Sequence, residues 1–221
     1  MKTDLLDIRN CDCMDLMQEF PDKHFDLAVV DPPYGIGECG KTNKSRGLKA
    51  IPKNYKAFAG SDKTAPNGEY FKELQRVSKN QIIFGANHFA NNLPNPSSPC
   101  WIVWDKQRDE DDFADCELAY TSFTSAVKVF RFRWNGMLQG DMKNKEQRIH
   151  PTQKPVLLYN WIFTNYAKEG MKILDTHMGS GSIAISAHYN KMHLTASELD
   201  KDYYNAACER IERETRQLTL F

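Results

Sequence analysis

The sequence predicts an α/β protein built on a doubly wound, mainly parallel sheet. Three observations carry that prediction. Short apolar runs alternate with segments of helical spacing through both halves of the chain, which is the pattern of strand–helix–strand units. The run Asp26-Leu27-Ala28-Val29-Val30 is continuously apolar after its first residue, as a strand buried on both faces must be. Two strand candidates are followed by turns of ligand-binding composition, Asp31-Pro32-Pro33-Tyr34 and Gly179-Ser180-Gly181-Ser182, at the strand ends where open α/β sheets bind ligands.

The elements follow in order. Asp4 to Ile8 reads as a first strand, and Asp12 to Phe20 as a helix through Met14, Met17 and Phe20, stopped by Pro21-Asp22. From Gly35 to Asn67 there is no sustained periodicity, and a loop of that length inside a compact domain is usually functional. Glu69 to Lys79 carries Tyr70, Leu74 and Val77 on one helical face and leads into the strand Gln81 to Phe84. Cys100 to Trp104 is a buried strand, and Glu117 to Phe123 and Ala126 to Trp134, parted by Thr124-Ser125, read as a hairpin. Residues 135 to 149 read as loop. Pro155 belongs in the first turn of a helix running to about Ala167 and stopped by Gly170, Met171 to Asp175 is a strand, Ile183 to Tyr189 a helix, His193 to Glu198 the last strand, and Asp200 caps the final helix.

At 221 residues and 41% hydrophobic content the chain is expected to form one domain with insertions. No run of 18 apolar residues exists, and Met1-Lys2-Thr3-Asp4 lacks the features of a signal peptide, so a cytoplasmic protein with no membrane partner is expected. Six scattered cysteines fit a reducing compartment. Cys11-x-Cys13 with His24 falls short of a zinc ligand set, so no metal is expected. The net charge of zero argues against coating nucleic acid by bulk electrostatics. It hides a basic segment, with Lys41, Lys44, Arg46, Lys49, Lys53 and Lys56, and an acidic one from Asp109 to Glu117. Charge runs of this kind are usually solvated loops.

The chemistry concentrates in the two turns. Consecutive prolines remove two N–H donors and leave carbonyl oxygens beside the Asp31 carboxylate and the Tyr34 ring. Acceptors next to an aromatic face suit an exocyclic amino group on a nucleobase. In the second turn, glycines allow close backbone approach to a ligand, and Glu198 is spaced to meet ribose hydroxyls. Gly179-x-Gly181-x-x-Ala184 also satisfies a loose dinucleotide pattern, so NAD competes. Three residues separate Asp175 from the first glycine, however, and nothing offers a hydride-transfer site. Pro99-Cys100 resembles the Pro-Cys nucleophile of cytosine C5 methyltransferases, but Cys100 opens an apolar strand and reads as buried. Phe84 and Tyr120 suit core packing better than a base pocket, and His88, His188 and His193 read as structural.

Together the motifs resemble the S-adenosylmethionine-dependent amino-methyltransferases of DNA. Asp31 to Tyr34 matches that family's catalytic tetrapeptide in full. Asp175-Thr176-His177-Met178-Gly179-Ser180-Gly181 matches its cofactor motif except that Thr176 and His177 replace Pro and Phe. His150 to Pro155 resembles the segment that helps enclose the methionine moiety, Glu198-Leu199-Asp200-x-x-Tyr203 the ribose-binding strand end, and Asn10-Cys11-Asp12 the stretch flanking the cofactor adenine. The motif order is that of the beta group.

The resemblance implies a Rossmann-like methyltransferase fold over residues 1–221 with recognition insertions at 36–66 and 105–149. Asp31, Pro32, Pro33 and Tyr34 would be catalytic. Asp12, Lys154, Asp175, His177, Gly179, Gly181, Glu198 and Asp200 would bind S-adenosylmethionine. It implies adenine N6 as the target in double-stranded DNA, with cytosine N4 or RNA as alternatives, and a small-molecule or protein methyltransferase as the more distant one. It leaves room for a homodimer and a companion restriction endonuclease.

Overall fold

The computed structural model describes residues 1–36, 64–108, 114–135 and 138–216. The basic segment from Lys41 to Lys56 therefore lies outside the described residues, as does most of the 36–66 insertion.

An eight-stranded sheet forms the centre, made of β1 (Leu6–Arg9), β2 (Phe25–Val30), β3 (Ser78–Phe84), β4 (Trp101–Asp105), β5 (Cys116–Thr121), β6 (Lys128–Arg131), β9 (Lys172–Asp175) and β10 (His193–Ser197). Their spatial order is β1-β10-β9-β2-β3-β5-β4-β6, parallel throughout except that β5 runs antiparallel to both its neighbours. A small ribbon pairs β7 (Trp134–Asn135) with β8 (Leu138–Gln139), starting at the last residue of the expected strand run and entering the stretch expected to be loop.

The helices are α1 (Cys13–Gln18), α2 (Gly68–Val77), α3 (Val156–Tyr166), α4 (Ser182–Tyr189) and α5 (Lys201–Thr215). Alternating residues of the central strands divide between two cores. Leu27 and Val29 of β2 and Ile173 of β9 join the core under α3, α4 and α5; Ala28, Val30 and Leu174 join the one under α1 and α2. Burial on both faces is why β2 is an apolar run without alternation.

Local chemistry sets most boundaries. Asp12 caps α1 by accepting the Met14 N–H at 2.7 Å, Asn67 caps α2, and Asp200 caps α5 by accepting the N–H groups of Asp202 and Tyr203. Tyr70, Phe71, Leu74 and Val77 form the buried stripe of α2. That helix ends at Val77 rather than Lys79, because Ser78 is already extended and begins β3. Pro155 sits just before α3 rather than in its first turn, and the Val156 N–H is met from a distance by Glu146 Oε1 at 2.9 Å.

The expected hairpin between the runs at 117–123 and 126–134 does not form. β5 pairs with β3 and β4, and β6 crosses to the far side of β4 and pairs with it in parallel. β4 hydrogen-bonds on both sides and takes the interior position, whereas β6, with Lys128 and Arg131 at its ends, is a short charged strand suited to an edge.

The topology also locates the site. From β9 the chain proceeds to β10 on one side, and from β2 to β3 on the other, so the order reverses between β9 and β2. These two are paired through Leu27↔Ile173 and Ala28↔Leu174. A crevice at the carboxyl ends of such a pair is where doubly wound sheets bind ligands.

Candidate active site

Asp31 leaves the end of β2 and Asp175 ends β9, so the two turns read from the sequence meet at this reversal. Asp31 is strongly engaged. Tyr34 Oη donates to its Oδ1 at 2.7 Å and Lys154 Nζ to its Oδ2 at 2.6 Å. Burial raises the Asp31 carboxyl, and the Lys154 ammonium opposes that rise. Tyr34 stays a neutral donor, because burial and the adjacent Asp31 lift its hydroxyl well above the usual range.

The Tyr34 ring lies face to face with the exposed His88, with centroids 5.2 Å apart and planes at 15°. Gly85 supports it from beneath with φ +65°, where any Cβ would collide with the ring.

The second turn is built around two carboxylates. Glu198 accepts the Gly179 N–H on Oε2 and the Asp200 N–H on Oε1, each at 2.9 Å, and so ties the glycine turn to the end of β10. Asn10 Nδ2 donates to the Glu198 and Leu199 carbonyls at 2.8 and 3.0 Å, fastening the end of β1 to the same place. Asp175 is 2% exposed and accepts the His177 N–H at 3.0 Å. Burial, followed by the nearby charges of Asp31 and Glu198, pushes its carboxyl up to about 8. Burial drives His177 down to about 4, which keeps its ring neutral. A chain of hydroxyls fixes that ring: Tyr70 Oη lies 2.6 Å from Thr176 Oγ1, which lies 2.9 Å from His177 Nδ1. Beside it opens a cleft of about 280 Å³ walled by Met14, Pro66, Tyr70 and His177.

Gly181 has φ +75°, and a Cβ there would come within 2.8 Å of Ile211, so both backbone and packing demand glycine. Arg210, 1% exposed, clamps this turn by donating to Ser180 O and Ser182 Oγ while pairing with Glu146 Oε2 at 2.7 Å.

The segment 150–154 joins the two halves. At one end the His150 ring lies 3.7 Å from where a Cβ of Gly179 would be and packs edge-on against Tyr203. At the other end Lys154, expected on the cofactor side, turns its ammonium to Asp31 instead. Asp12, also expected at the cofactor, spends Oδ1 on the α1 cap.

No motif in the sequence marks Glu117, Lys106 or Tyr70 as a site residue, and His88 reads as structural there. His88 had a legible signal, since it lies four residues beyond the end of β3, the strand beside β2. Glu117 has none: it ends the acidic run and opens the strand run Glu117 to Phe123, and only the pairing of β5 brings it, half-buried, within 3.0 Å of Lys154. Phe84 and Cys100 are fully buried, as their strand positions suggested.

Residues 104–209 match the family model described as DNA methylase. The Type II methyltransferase M2.MboI of Moraxella bovis is 24% identical over 211 residues, covering 79% of this chain and 76% of its own. Two solved structures share the fold. The M1.HpyAVI complex with S-adenosylmethionine superimposes with a TM-score of 0.59 at 18% identity, covering 93% of this chain and 99% of that one. The cytosine-N4-specific PvuII DNA methyltransferase does so with a TM-score of 0.63 at 10% identity, covering 96% and 92%. The family match over residues 104–209, the two motifs in this order and the doubly wound sheet that brings them together support an S-adenosylmethionine-dependent DNA amino-methyltransferase.

Proposed function

We propose that this chain methylates adenine N6 of a base extruded from double-stranded DNA, with Asp31 as the acceptor for the amino group. The observation that supports this most is the position of Asp31, at the end of β2 beside the cofactor turn, with an aromatic ring hydrogen-bonded to it. Asp at the first place of the tetrapeptide favours adenine over cytosine.

The residues fit the methyl donor. Two carboxylates, Asp175 and Glu198, frame a glycine turn held at fixed geometry, next to a cleft with aromatic walls. Asp175 and His177 would face the methionine moiety, Glu198 and Asp200 the ribose, and Asp12 the adenine end, with Gly179 and Gly181 shaping the turn. When bound, S-adenosylmethionine supplies an electrophilic methyl group. The protein's own task is to present a nitrogen lone pair to it. A carboxylate has about four lone-pair sites, and two hydrogen bonds on Asp31 leave others for an amino proton. Asp31 and the Pro32 carbonyl draw the amino protons toward themselves, so the nitrogen becomes pyramidal and nucleophilic. The negative charge then stabilises the positive charge developing on it. Pro33 holds the tetrapeptide rigid and Tyr34 stacks on the base, for which the His88 ring must yield its face.

The chain is read as one methyltransferase domain, with 36–66 and 105–149 contacting DNA. The type II designation of M2.MboI supports a companion restriction endonuclease and a cytoplasmic setting. Among the described residues no helix is long and apolar enough to cross a membrane.

The test is to digest DNA treated with the protein and S-adenosylmethionine to nucleosides and separate them by mass spectrometry. N6-methyladenine is expected with the parent and none with Asp31→Ala, whose cofactor affinity should be unchanged. N4-methylcytosine alone would overturn the choice of base, and an active Asp31→Ala the role of the carboxylate.

A further inference from the structure

Asp31 shares its lysine with a carboxylate that belongs to neither motif. Glu117 Oε2 lies 3.0 Å from Lys154 Nζ, and Glu117 Oε1 accepts from Lys106 Nζ at 2.6 Å. The Lys154 ammonium, 3% exposed, also lies over the Phe84 ring at 4.7 Å. Two acids and two bases thus form a row from Asp31 through Lys154 and Glu117 to Lys106, with no net charge.

The reversed direction of β5 puts Glu117 there. Parallel strands bring their last residues to the ligand edge; an antiparallel strand brings its first. Ala119 pairs with Phe84 at the end of β3, so Glu117 projects beyond that end, over the site.

We propose that Glu117 is a positioning residue for methyl transfer, holding the Lys154 ammonium between two carboxylates so that Asp31 stays oriented and open to the amino group. The proposal rests on the reading of Asp31 as acceptor. A buried ammonium with one carboxylate closes on it as a tight pair and competes for its lone pairs. With Glu117 3.0 Å away on its other side, the ammonium that orients Asp31 from 2.6 Å divides its charge between two carboxylates. Lys106 balances the second acid. Burial pushes Glu117 up, but Lys154 and Lys106 outweigh it and hold the carboxyl at about 2, so it remains a charged anchor. The other titratable groups acting on Asp31 from nearby, Tyr34, Tyr70, Tyr159 and Asp175, are common to parent and variants.

The experiment measures DNA methylation against pH for the parent, Glu117→Gln, Glu117→Asp and Lys154→Met, with calorimetric cofactor titration and thermal unfolding of each. Glu117→Gln is expected to lose about 10- to 100-fold in kcat. Its KM for DNA and its cofactor affinity should stay within about twofold of the parent. The acid limb of its kcat profile should move to lower pH, because the charge of Glu117 raises Asp31; in Lys154→Met it should move to higher pH, because the ammonium lowers Asp31. Glu117→Asp should recover part of kcat. If the Gln variant fails to fold, Lys106→Met carries the test: it removes a positive charge without touching Asp31 and should move the acid limb upward. A parental rate or an unmoved acid limb in Glu117→Gln, with the parent active, overturns the positioning role alone. A folded parent that transfers no methyl group to DNA overturns the underlying function and the positioning role with it.

Discussion

Replacing Asp175 by Asn should stabilise the protein, and by an amount that grows with pH. Asp175 keeps its proton up to about pH 8 in the folded chain, against an ordinary value of 3.8. The folded state therefore holds one proton more than the unfolded state between those values. The stability tied to that proton is complete below about pH 4 and is lost as pH rises through about 8. From pH 5 to pH 8 the parent loses about 4 kcal/mol from this group, at about 1.4 kcal/mol per pH unit. Asn never ionises and keeps an Oδ1 for the His177 N–H that Asp175 accepts at 3.0 Å. Urea unfolding of parent and Asp175→Asn at the two pH values isolates the effect, since groups common to both cancel in the difference. With a denaturant slope of about 2 to 3 kcal/mol per molar, the gap between midpoints should widen by about 1.3 to 2 M. The same carboxyl must ionise to hold a cationic ligand, so cofactor affinity should climb with pH toward about 8 in the parent and stay flat in the variant. Parallel stability profiles for the two proteins would refute the reasoning.

Two further substitutions test the turns. Glu198→Ala should weaken cofactor binding by about 1.5 to 3 kcal/mol in calorimetric titration, the range for a hydrogen bond to a charged group. It should also lower the unfolding midpoint, because the carboxylate holds the N–H groups of both Gly179 and Asp200. Gly85→Ala combines a positive φ with a collision against Tyr34 and should lower methyl transfer while leaving cofactor affinity intact. Equal activity in a methylation assay would show that the ring moves aside at no cost.

What the sequence determined by itself was local. The apolar run before Asp31 is a strand, the glycine turn follows another, Asp200 caps a helix, and each expectation rests on residues adjacent in the chain. The α/β class follows from the same alternation. What only the tertiary structure decided is pairing between distant segments. Nothing in the run Cys116–Thr121 says that it enters the sheet antiparallel between β3 and β4, because its composition suits a hairpin with the next run equally well. That pairing, between segments distant in the chain, carries Glu117 at the start of the strand to Lys154. Lys154 itself lies 123 residues from Asp31, and a motif fixes residue types without fixing where a long, flexible side chain finds its counter-charge. Charge pairing acts through space in a poorly screened interior, so its partners are chosen by the fold.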